Sequence, residues 1–522
     1  MEKPPRQLNA AWERAPNGRR RLPRPPRAAD IAYAVLLLLY LAPLWLVRYV
    51  PTCDGPSHLA NALIVKRLLA GEGGAVGRYY ALNRAPAPNL AYEGLVVAAL
   101  QIMPPLTAEK AVLTLVVLTF ALGFRRLGAA VGGRAGPAAF LFLPFALSLP
   151  FHMGFFSFMM SLGMAAFALA HLWRRRADVD GRWVIAAAAA AAAVFVAHLM
   201  GWAFFVGGLL LSAAAAAALQ PPRKKYLYMG VALAAAVAPG IWYVAVAPRE
   251  AAVRWPAARV ARYLVAGDVL RGFNRWQDVV ALAVVVAVAA AIVWAVAARL
   301  RRRRPLQAAD WWLAGAIAAA ALCFAVPEWG PAGGGWIVRR GALIPLILVS
   351  VWLAAAEGWL RRALGVVAPA LALAYLGALA IGYHDADQEL REFNSGRCVV
   401  AAGSTVVPLI YKYPSNDRNV TSCLRTGGSY YTLDRDAVDL LNYEPGMAYF
   451  PVTWRAGYAP AAIKRFSVGT PVVAVAGGYG RVDYIVCWRI NPFLGELQTT
   501  FRDYYCVHAT RRLMVLKRKA GR

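Results

Sequence analysis

Long apolar runs alternate with short polar segments over the first three quarters of the chain. Runs such as Ile31–Val50, Val279–Val296 and Ala363–Ile381 approach the ~20 apolar residues that a helix needs to cross a bilayer. Arginine clusters such as Arg301–Arg304 separate these runs, as in the cytoplasmic loops of membrane proteins. With a disordered basic segment at 1–30 on the cytoplasmic side, the pattern predicts eleven crossings: 31–48, 109–124, 137–150, 154–173, 183–198, 201–219, 227–247, 278–298, 310–327, 338–357 and 363–382.

The apolar stretch Ala91–Met103 is left out of that count. It has about 13 residues, and lengths of about 10–14 are typical of interfacial segments rather than of crossings. If it crossed, the clusters Arg125–Arg126 and Arg174–Arg176 would lie outside, against the positive-inside rule. The sequence therefore predicts a helix along the outer membrane surface, within a first outer loop at 49–108.

The pattern changes after residue 382, where short β-like runs replace the long apolar ones. An acidic start predicts a helix at Asp434–Asn442. The β-like runs are Val399–Ala402, Val406–Tyr411, Val472–Ala476, Val482–Trp488 and Leu513–Lys517. The predicted fold class is therefore a polytopic α-helical membrane protein, with the transmembrane bundle at 31–382 and a C-terminal soluble mixed α/β domain at 383–522.

Composition supports this class and excludes an ordinary soluble enzyme. Of 522 residues, 60% are hydrophobic and 16% are charged, below the ~25% charged residues of soluble domains. The net charge of +30 first suggests a nucleic-acid partner. The cations are clustered between apolar runs, however, without the interleaved aromatic residues that stack on bases, so we predict no nucleic-acid partner.

Four of the six cysteines lie in the predicted C-terminal domain, where an outer, oxidising location would allow two disulfides. Three pairings of four cysteines are possible. We favour Cys487–Cys506, because these two lie close together in sequence, with Cys398–Cys423 as the second pair. No CxxC motif occurs, so the cysteines give no support for a zinc or thioredoxin-like site.

The most informative polar stretch directly follows the first crossing. Asp54 precedes Gly55-Pro56, which predicts a turn, and Ser57 is a candidate N-cap for a helix over Leu59–Ala70. These residues have an ordinary explanation, which is a solvated turn before a capped surface helix. Because these residues lie in the first outer loop, a functional role is a second explanation for them.

Other candidate residues lie at the predicted outer ends of crossings. Arg339 and Arg340 begin the tenth crossing there, and an arginine fork suits a phosphate. Lys110 begins the second crossing at the same level, although a cation at a membrane edge is commonly a snorkelling anchor. His152 and His198 lie at the outer ends of other crossings, where a structural histidine is the simpler explanation.

The first outer loop resembles that of the GT-C glycosyltransferases. The matching features, in chain order, are one crossing, Asp54, a surface helix marked by Pro88-Asn89-Leu90, Glu93 and Pro104-Pro105, a crossing that begins Ala108-Glu109-Lys110, and the run Gly154–Phe158 after His152. The resemblance covers residues 31–345. It implies an integral enzyme of the bacterial inner membrane, with a cytoplasmic N-terminus and a periplasmic C-terminal domain.

The resemblance also implies the reaction. A sugar would pass from a polyprenyl-phosphate carrier to an acceptor hydroxyl on the outer face, the acceptor being a glycan, a lipid or a protein. Asp54 matches the superfamily's catalytic acid, and direct displacement with Asp54 as general base would invert the anomeric carbon. The other candidates are His58 in catalysis, Lys110, Arg339 and Arg340 for the donor phosphate, and Asn89, Glu93, Glu109, His152 and His198 for substrate binding.

The sequence departs from the superfamily beside Asp54. Many members carry a second acid next to the first, sometimes with a bridging metal, whereas Cys53 and Gly55 flank Asp54 here. Glu72, Glu93 or Glu109 could take that place, and a divalent cation, Mg²⁺ or Mn²⁺, stays an open alternative.

Two other classes of protein compete with the enzyme. A lipid or polysaccharide transporter or flippase would need polar residues or broken helices near the membrane midplane. The predicted crossings are clean and their charges lie at the ends, which favours the enzyme. A non-enzymatic envelope assembly protein would need neither eleven crossings nor a first loop spanning 49–108.

Overall fold

The structure is a computed structural model. It describes residues 28–84, 88–219, 222–247, 251–303, 305–330, 334–410, 423–460, 482–489 and 501–519. The described α-helices are, in chain order, α1 (Ala28–Leu46), α2 (Gly55–Leu69), α3 (Gly74–Tyr79), α4 (Ala91–Ala99), α5 (Pro105–Val131), α6 (Phe142–Ala146), α7 (Leu149–His152), α8 (Phe156–Arg174), α9 (Gly181–Ala197), α10 (Leu199–Ala217), α11 (Arg223–Val246), α12 (Ala257–Val265), α13 (Arg275–Arg301), α14 (Asp310–Ala325), α15 (Ile337–Gly341), α16 (Leu343–Leu353) and α17 (Gly358–Phe393). The described strands are β1 (Tyr80–Leu82), β2 (Thr405–Ile410), β3 (Val438–Asp439), β4 (Val452–Trp454), β5 (Tyr484–Trp488), β6 (Tyr504–Ala509) and β7 (Leu513–Arg518).

The helices confirm the predicted polytopic membrane class. Within the described residues, seven helices are long and apolar enough to cross a bilayer: α1, α5, α8, α10, α11, α13 and α17. The remaining predicted crossings coincide with shorter helices, namely the broken segment Pro137–His152, α9, α14 and the pair α15–α16. Each of the eleven predicted segments therefore overlaps helical structure.

Small residues let α5 and α8 approach each other closely. A Cβ added to Gly123 would lie 2.4 Å from the carbonyl oxygen of Gly163, and one added to Gly163 would lie 2.5 Å from the backbone of Thr119. Between apolar helices in lipid, such close backbone contact is a main source of packing energy. The contact holds α8 in place, and the N-terminal end of α8 forms one wall of the site described below.

The segment predicted to lie on the membrane surface forms the short helix α4. It covers nine residues and is not among the helices long enough to cross. Tyr92, Glu93 and Val96 are its buried residues, and this helical spacing turns one face of α4 toward α2. Glu93 is thereby directed inward rather than toward solvent.

A five-stranded mixed sheet forms the core of the C-terminal region, in the order β3-β2-β5-β7-β6. β2 lies parallel to β3 and β5, whereas β7 is antiparallel to β5 and β6. The runs predicted at 406–411, 482–488 and 513–517 are confirmed as β2, β5 and β7. The predicted strand at 399–402 is wrong, because a 3₁₀ helix ends at Val399 and a turn follows. The run at 472–476 lies outside the described residues.

The helix predicted at Asp434–Asn442 is also wrong. Val438 and Asp439 pair with β2 as strand β3. The acids that suggested a helix start have other partners: Asp436 accepts hydrogen bonds from the backbone N–H groups of Ala75 and Val76, at the start of α3. Asp436 therefore caps a different helix, one that lies in the first loop.

The first loop and the C-terminal region are joined directly. β1 pairs antiparallel with β4, with Ala81 opposite Thr453. α17 also continues without a break past residue 382, where the sequence predicted a boundary, and ends at Phe393. The C-terminal region is thus attached to the bundle by a continuous helix and to the first loop by the separate two-stranded sheet β1-β4.

The sheet excludes one of the two predicted cysteine pairs. Cys487 lies on β5 opposite Met514 of β7, and Cys506 lies on β6 opposite Leu516 of β7, so β7 separates the two thiols. Two strand spacings put their Cα atoms roughly 10 Å apart, beyond the ~7 Å limit for a disulfide. The Cys487–Cys506 prediction is therefore wrong. The second predicted pair, Cys398–Cys423, stays a prediction; Cys398 is exposed and Cys423 is half-buried.

Candidate active site

A cavity lies where the first loop, the ends of several bundle helices and the C-terminal region meet. It encloses about 1100 Å³ of empty space, its open mouth included. The predicted site residues that line it are Asp54, His58, Asn89, Glu93, His198 and Arg340. These side chains come from distant parts of the chain, so their convergence is a property of the fold.

Asp54 is held at the N-terminus of α2 by contacts on both sides. The helix begins at Gly55, so Asp54 and not Ser57 is the N-cap, although its side chain makes no capping hydrogen bond. The preceding N–H, of Cys53, donates to the carbonyl of His152 at 2.7 Å. Gly154, with φ +95°, passes so close that a Cβ there would lie 2.9 Å from the Asp54 Cβ. The backbone and Cβ of Asp54 thus lie directly against the turn before α8.

The electrostatics of Asp54 suit a general base. The residue is 7% exposed, and its Oδ1 has no hydrogen-bond partner among the described residues. Burial raises the pKa of Asp54, and the charges of Arg425 and His58 oppose that rise. A carboxylate whose basicity is increased, with one oxygen unpartnered, can accept a proton from a substrate hydroxyl.

His58 lies between two buried glutamates. Its Nδ1 is 2.9 Å from Glu444 Oε1 and 3.2 Å from Glu93 Oε1. Burial alone would lower the pKa of His58, but the negative charges of Glu444 and Glu93 raise it well above its usual value. Glu444 belongs to a 3₁₀ turn of the C-terminal region, so this cluster also joins that region to α2 and α4.

Arg340 and His198 form the second polar group of the cavity. Arg340 is 8% exposed, its Nη1 lies 3.1 Å from His198 Nε2, and its guanidinium carbon lies 4.6 Å from the centre of the Phe155 ring. His198 caps α10, because its Nδ1 accepts a hydrogen bond from the backbone N–H of Met200 at 3.0 Å.

The hydrogen bond that His198 accepts from Met200 determines which kind of ligand Arg340 and His198 can bind. Since Nδ1 of His198 is an acceptor, the proton of the neutral ring resides on Nε2. Nε2–H and the Arg340 Nη1–H are then two donors that face each other, an arrangement that an anion with two acceptor oxygens would satisfy.

The C-terminal region adds residues that the sequence did not reveal. Arg425, Tyr443, Met447, Tyr449 and Phe450 all line the cavity. Arg425 and Tyr443 both act on Asp54, because each lowers the pKa of its carboxyl against the effect of burial. Nothing in the local pattern around these residues marks them, since the loop that they face is more than 350 positions away in sequence.

Trp336 and Arg339 form the wall beside Arg340. Trp336 has φ +62°, a left-handed conformation that is rare for a bulky residue, and it begins α15. The guanidinium of Arg339 stacks on the Trp336 ring at 3.8 Å and pairs with Glu328 Oε1 at 3.0 Å. Arg339 therefore supports the wall and is not among the cavity-lining residues, unlike Arg340.

Three further predicted residues also lie outside the cavity lining. Lys110 donates to the carbonyl of Val47, which anchors the start of α5 to the end of α1. Glu109 is fully buried beneath the Asp54–Gly55 turn, with no hydrogen-bond partner for either carboxylate oxygen among the described residues. His152 Nε2 lies 3.1 Å from the Tyr383 hydroxyl, in the layer that supports the Asp54 loop.

No protein-family model and no curated protein matches this chain. Among solved structures, ArnT from Cupriavidus metallidurans, bound to undecaprenyl phosphate, matches with a TM-score of 0.51 and 12% sequence identity, over 94% of this chain and 97% of that one. The chain has the fold of ArnT. The predicted fold class is therefore confirmed, and the match extends beyond the residues 31–345 that carried the resemblance.

Proposed function

We propose that this protein is a membrane glycosyltransferase that moves a sugar from a polyprenyl-phosphate carrier to an acceptor hydroxyl. The supporting observation is that a buried carboxylate, Asp54, and a pair of anion-binding donors, Arg340 and His198, line the same cavity. The ArnT-like fold supports the same class of enzyme, and the undecaprenyl phosphate bound to ArnT supports a polyprenyl carrier.

Arg340 and His198 are proposed to bind the phosphate of the donor. Two oxygens of one phosphate would accept the facing Nη1–H and Nε2–H groups, which have no acceptor between them without it. Binding there would stabilise the negative charge that develops on the phosphate as the sugar leaves. The expected roles of Lys110 and Arg339 in phosphate binding stay predictions, and their contacts with Val47 and Glu328 give them other partners.

Asp54 is proposed to act as the general base of a direct displacement. Its carboxylate takes the proton of the acceptor hydroxyl while the acceptor oxygen forms a bond to the anomeric carbon. The bond between that carbon and the phosphate oxygen breaks at the same time, and its electrons go to the carrier phosphate, held by Arg340 and His198. A single displacement inverts the anomeric carbon.

The orientation in the membrane is proposed from charge. The arginine clusters support a cytoplasmic N-terminus, which would put the cavity and the C-terminal sheet on the periplasmic side of a bacterial inner membrane. The acceptor is then a glycan, lipid or protein hydroxyl on that side.

The test is transfer of labelled sugar from a polyprenyl-phosphate carrier by the purified protein, with carrier binding measured separately. Asp54→Asn keeps the shape of the side chain but removes its basicity, so turnover should fall by at least ~100-fold while carrier binding changes little. Asp385→Asn, at an exposed position on α17, is the matched control and should keep wild-type turnover.

Two outcomes would contradict the proposal. Near-wild-type turnover in Asp54→Asn would remove the catalytic assignment. Movement of the carrier across a vesicle membrane by the wild-type protein, without any transferred sugar, would identify a transporter instead.

A further inference from the structure

Three side chains from three separate segments converge beside the proposed base. His58 comes from α2, Glu93 from α4, and Glu444 from the C-terminal region. One ligand atom from each lies within 4.8 Å of the other two. The three residues are 6%, 3% and 0% exposed, so the cluster is shielded from bulk water.

The short contacts of His58 with the two glutamates are ion-pair contacts that lack the alignment of hydrogen bonds. Nδ1 of His58 and both carboxylate oxygens of Glu444 are buried and have no partner in hydrogen-bond geometry among the described residues. Buried polar atoms are normally paired, because an unpaired one costs roughly 1–3 kcal/mol. These contacts measure 2.9 and 3.2 Å, and one ligand atom from each of the three residues lies close enough to the other two to surround a common point.

Charge and ligand type indicate what that point would hold. A metal ion would displace the proton that His58 otherwise holds between the glutamates. Two carboxylates and the resulting neutral imidazole carry two negative charges, which one divalent cation cancels, and an uncancelled buried charge is strongly unfavourable. One nitrogen and two oxygen ligands suit Zn²⁺ or Mn²⁺, whereas Ca²⁺ and Mg²⁺ prefer oxygen alone. A water molecule from the cavity, which His58 and Glu93 line, could complete a tetrahedral set.

We propose that His58, Glu93 and Glu444 bind one divalent transition-metal ion that fastens the C-terminal region to the first loop. The role is structural: the ion joins α2, α4 and the turn at Glu444, and it does not depend on the proposed transferase activity.

Neighbouring groups support the ligands from outside. Ser157 Oγ lies 3.5 Å from Glu93 Oε2, and the backbone N–H of Glu444 donates to Asn442 Oδ1 at 3.3 Å. Such outer contacts orient metal ligands.

The experiment uses the full chain, purified in detergent, stripped with chelator and then dialysed against Zn²⁺ or Mn²⁺. Metal analysis should find one ion per chain in the wild type, and adding the ion should raise the thermal unfolding midpoint of the stripped protein. Glu444→Gln removes one charged ligand and should weaken binding by at least ~100-fold, more than the loss of an outer-shell partner typically costs. Glu72→Gln is the matched control, since Glu72 is in the same loop with its side chain 55% exposed.

The outcomes separate this site from the transferase proposal. Metal content is read without substrate, so loss of sugar transfer does not affect it. Failure of the stripped wild type to take up one ion, or equal uptake by Glu444→Gln, would overturn the site and leave a protonated His58 between its glutamates. If Glu444→Gln proves unstable, Glu93→Gln gives the same comparison from the α4 side, and the wild-type uptake decides by itself whether the site exists.

Discussion

The side-chain amides of Asn61 and Asn442 hydrogen-bond to each other in both directions, although 381 positions separate them in the sequence. Asn442 Nδ2 donates to Asn61 Oδ1 at 2.9 Å, and Asn61 Nδ2 donates to Asn442 Oδ1 at 3.1 Å. Ser57 also donates to Asn442 Oδ1, at 3.1 Å. The amide pair therefore fixes the C-terminal region to the helix that carries His58, one turn from the cavity.

We expect these two asparagines to be energetically coupled. Asn442→Ala leaves the buried amide of Asn61 without its partner, which should cost about 1–3 kcal/mol of unfolding free energy. Asn61→Ala should cost a similar amount, and the double variant should cost clearly less than the sum. A double-mutant cycle on unfolding of the purified protein measures the coupling, which we expect at about 1 kcal/mol or more. Additive losses would mean that the pair does not hold the two regions together.

Local signals account for the part of the site that could be predicted. Asp54 precedes Gly55-Pro56 beside an apolar run, and Arg340 stands at the end of another, so each is visible from its neighbours. The strands β2, β5 and β7 are likewise visible as short apolar runs.

The unpredicted part depends on contacts between distant segments. Glu444 and Arg425 acquire their roles only because β1 pairs with β4 and places the C-terminal region against the first loop. β1 has three residues, too few for a pattern of alternation. Residues near a predicted interface can also face elsewhere: Lys110 lies at the expected helix end, but its amine donates to Val47. The position of such a residue in the sequence indicates at which end of a helix it lies. The direction in which its side chain points depends on the residues packed around it.

Asp439 should make stability depend on pH. Burial raises its pKa from 3.8 to about 6, although hydrogen bonds from the Leu441 N–H and the Ser429 hydroxyl lower it. Because the folded state holds this proton more tightly than the unfolded state, the stabilisation is complete below about pH 4 and is lost as the pH rises through 6. The loss should be on the order of 2–3 kcal/mol at pH 7.5.

The variant Asp439→Asn isolates this effect. It is neutral at every pH and keeps an acceptor oxygen for the Leu441 N–H. Thermal unfolding from pH 4 to 8 should show the wild type losing stability relative to Asp439→Asn as the pH rises. Asp503→Asn, at an exposed position, should keep the wild-type slope. A constant difference between wild type and Asp439→Asn across this range would show that Asp439 does not titrate there.

Gly154 should be essential for the position of Asp54. Its φ of +95° is strained for any residue with a side chain, and an alanine Cβ would lie 2.9 Å from the Asp54 Cβ. Gly154→Ala should therefore push Asp54 away and lower turnover by about 100-fold, the effect of an ~1 Å misplacement of a catalytic group. Gly230→Ala on α11, with open space around the added Cβ, should leave turnover unchanged. Sugar transfer by folded, monodisperse protein is the measurement, and equal turnover in the two variants would contradict the proposed arrangement.

Arg340 and Arg339 are adjacent in sequence, but the structure separates their roles. Arg340 lines the cavity beside His198, whereas Arg339 stacks on Trp336 and pairs with Glu328. Arg340→Ala should weaken binding of the polyprenyl-phosphate donor by about 10- to 150-fold, which corresponds to the ~1.5–3 kcal/mol of a charged hydrogen bond. Arg339→Ala, the matched control, should change donor affinity by less than about threefold while lowering the unfolding temperature, because the buried Glu328 loses its partner. Donor binding is followed by titration of labelled carrier into purified protein. If Arg339→Ala weakens binding as much as Arg340→Ala does, the phosphate contacts both guanidinium groups, and the assignment to Arg340 and His198 alone is wrong.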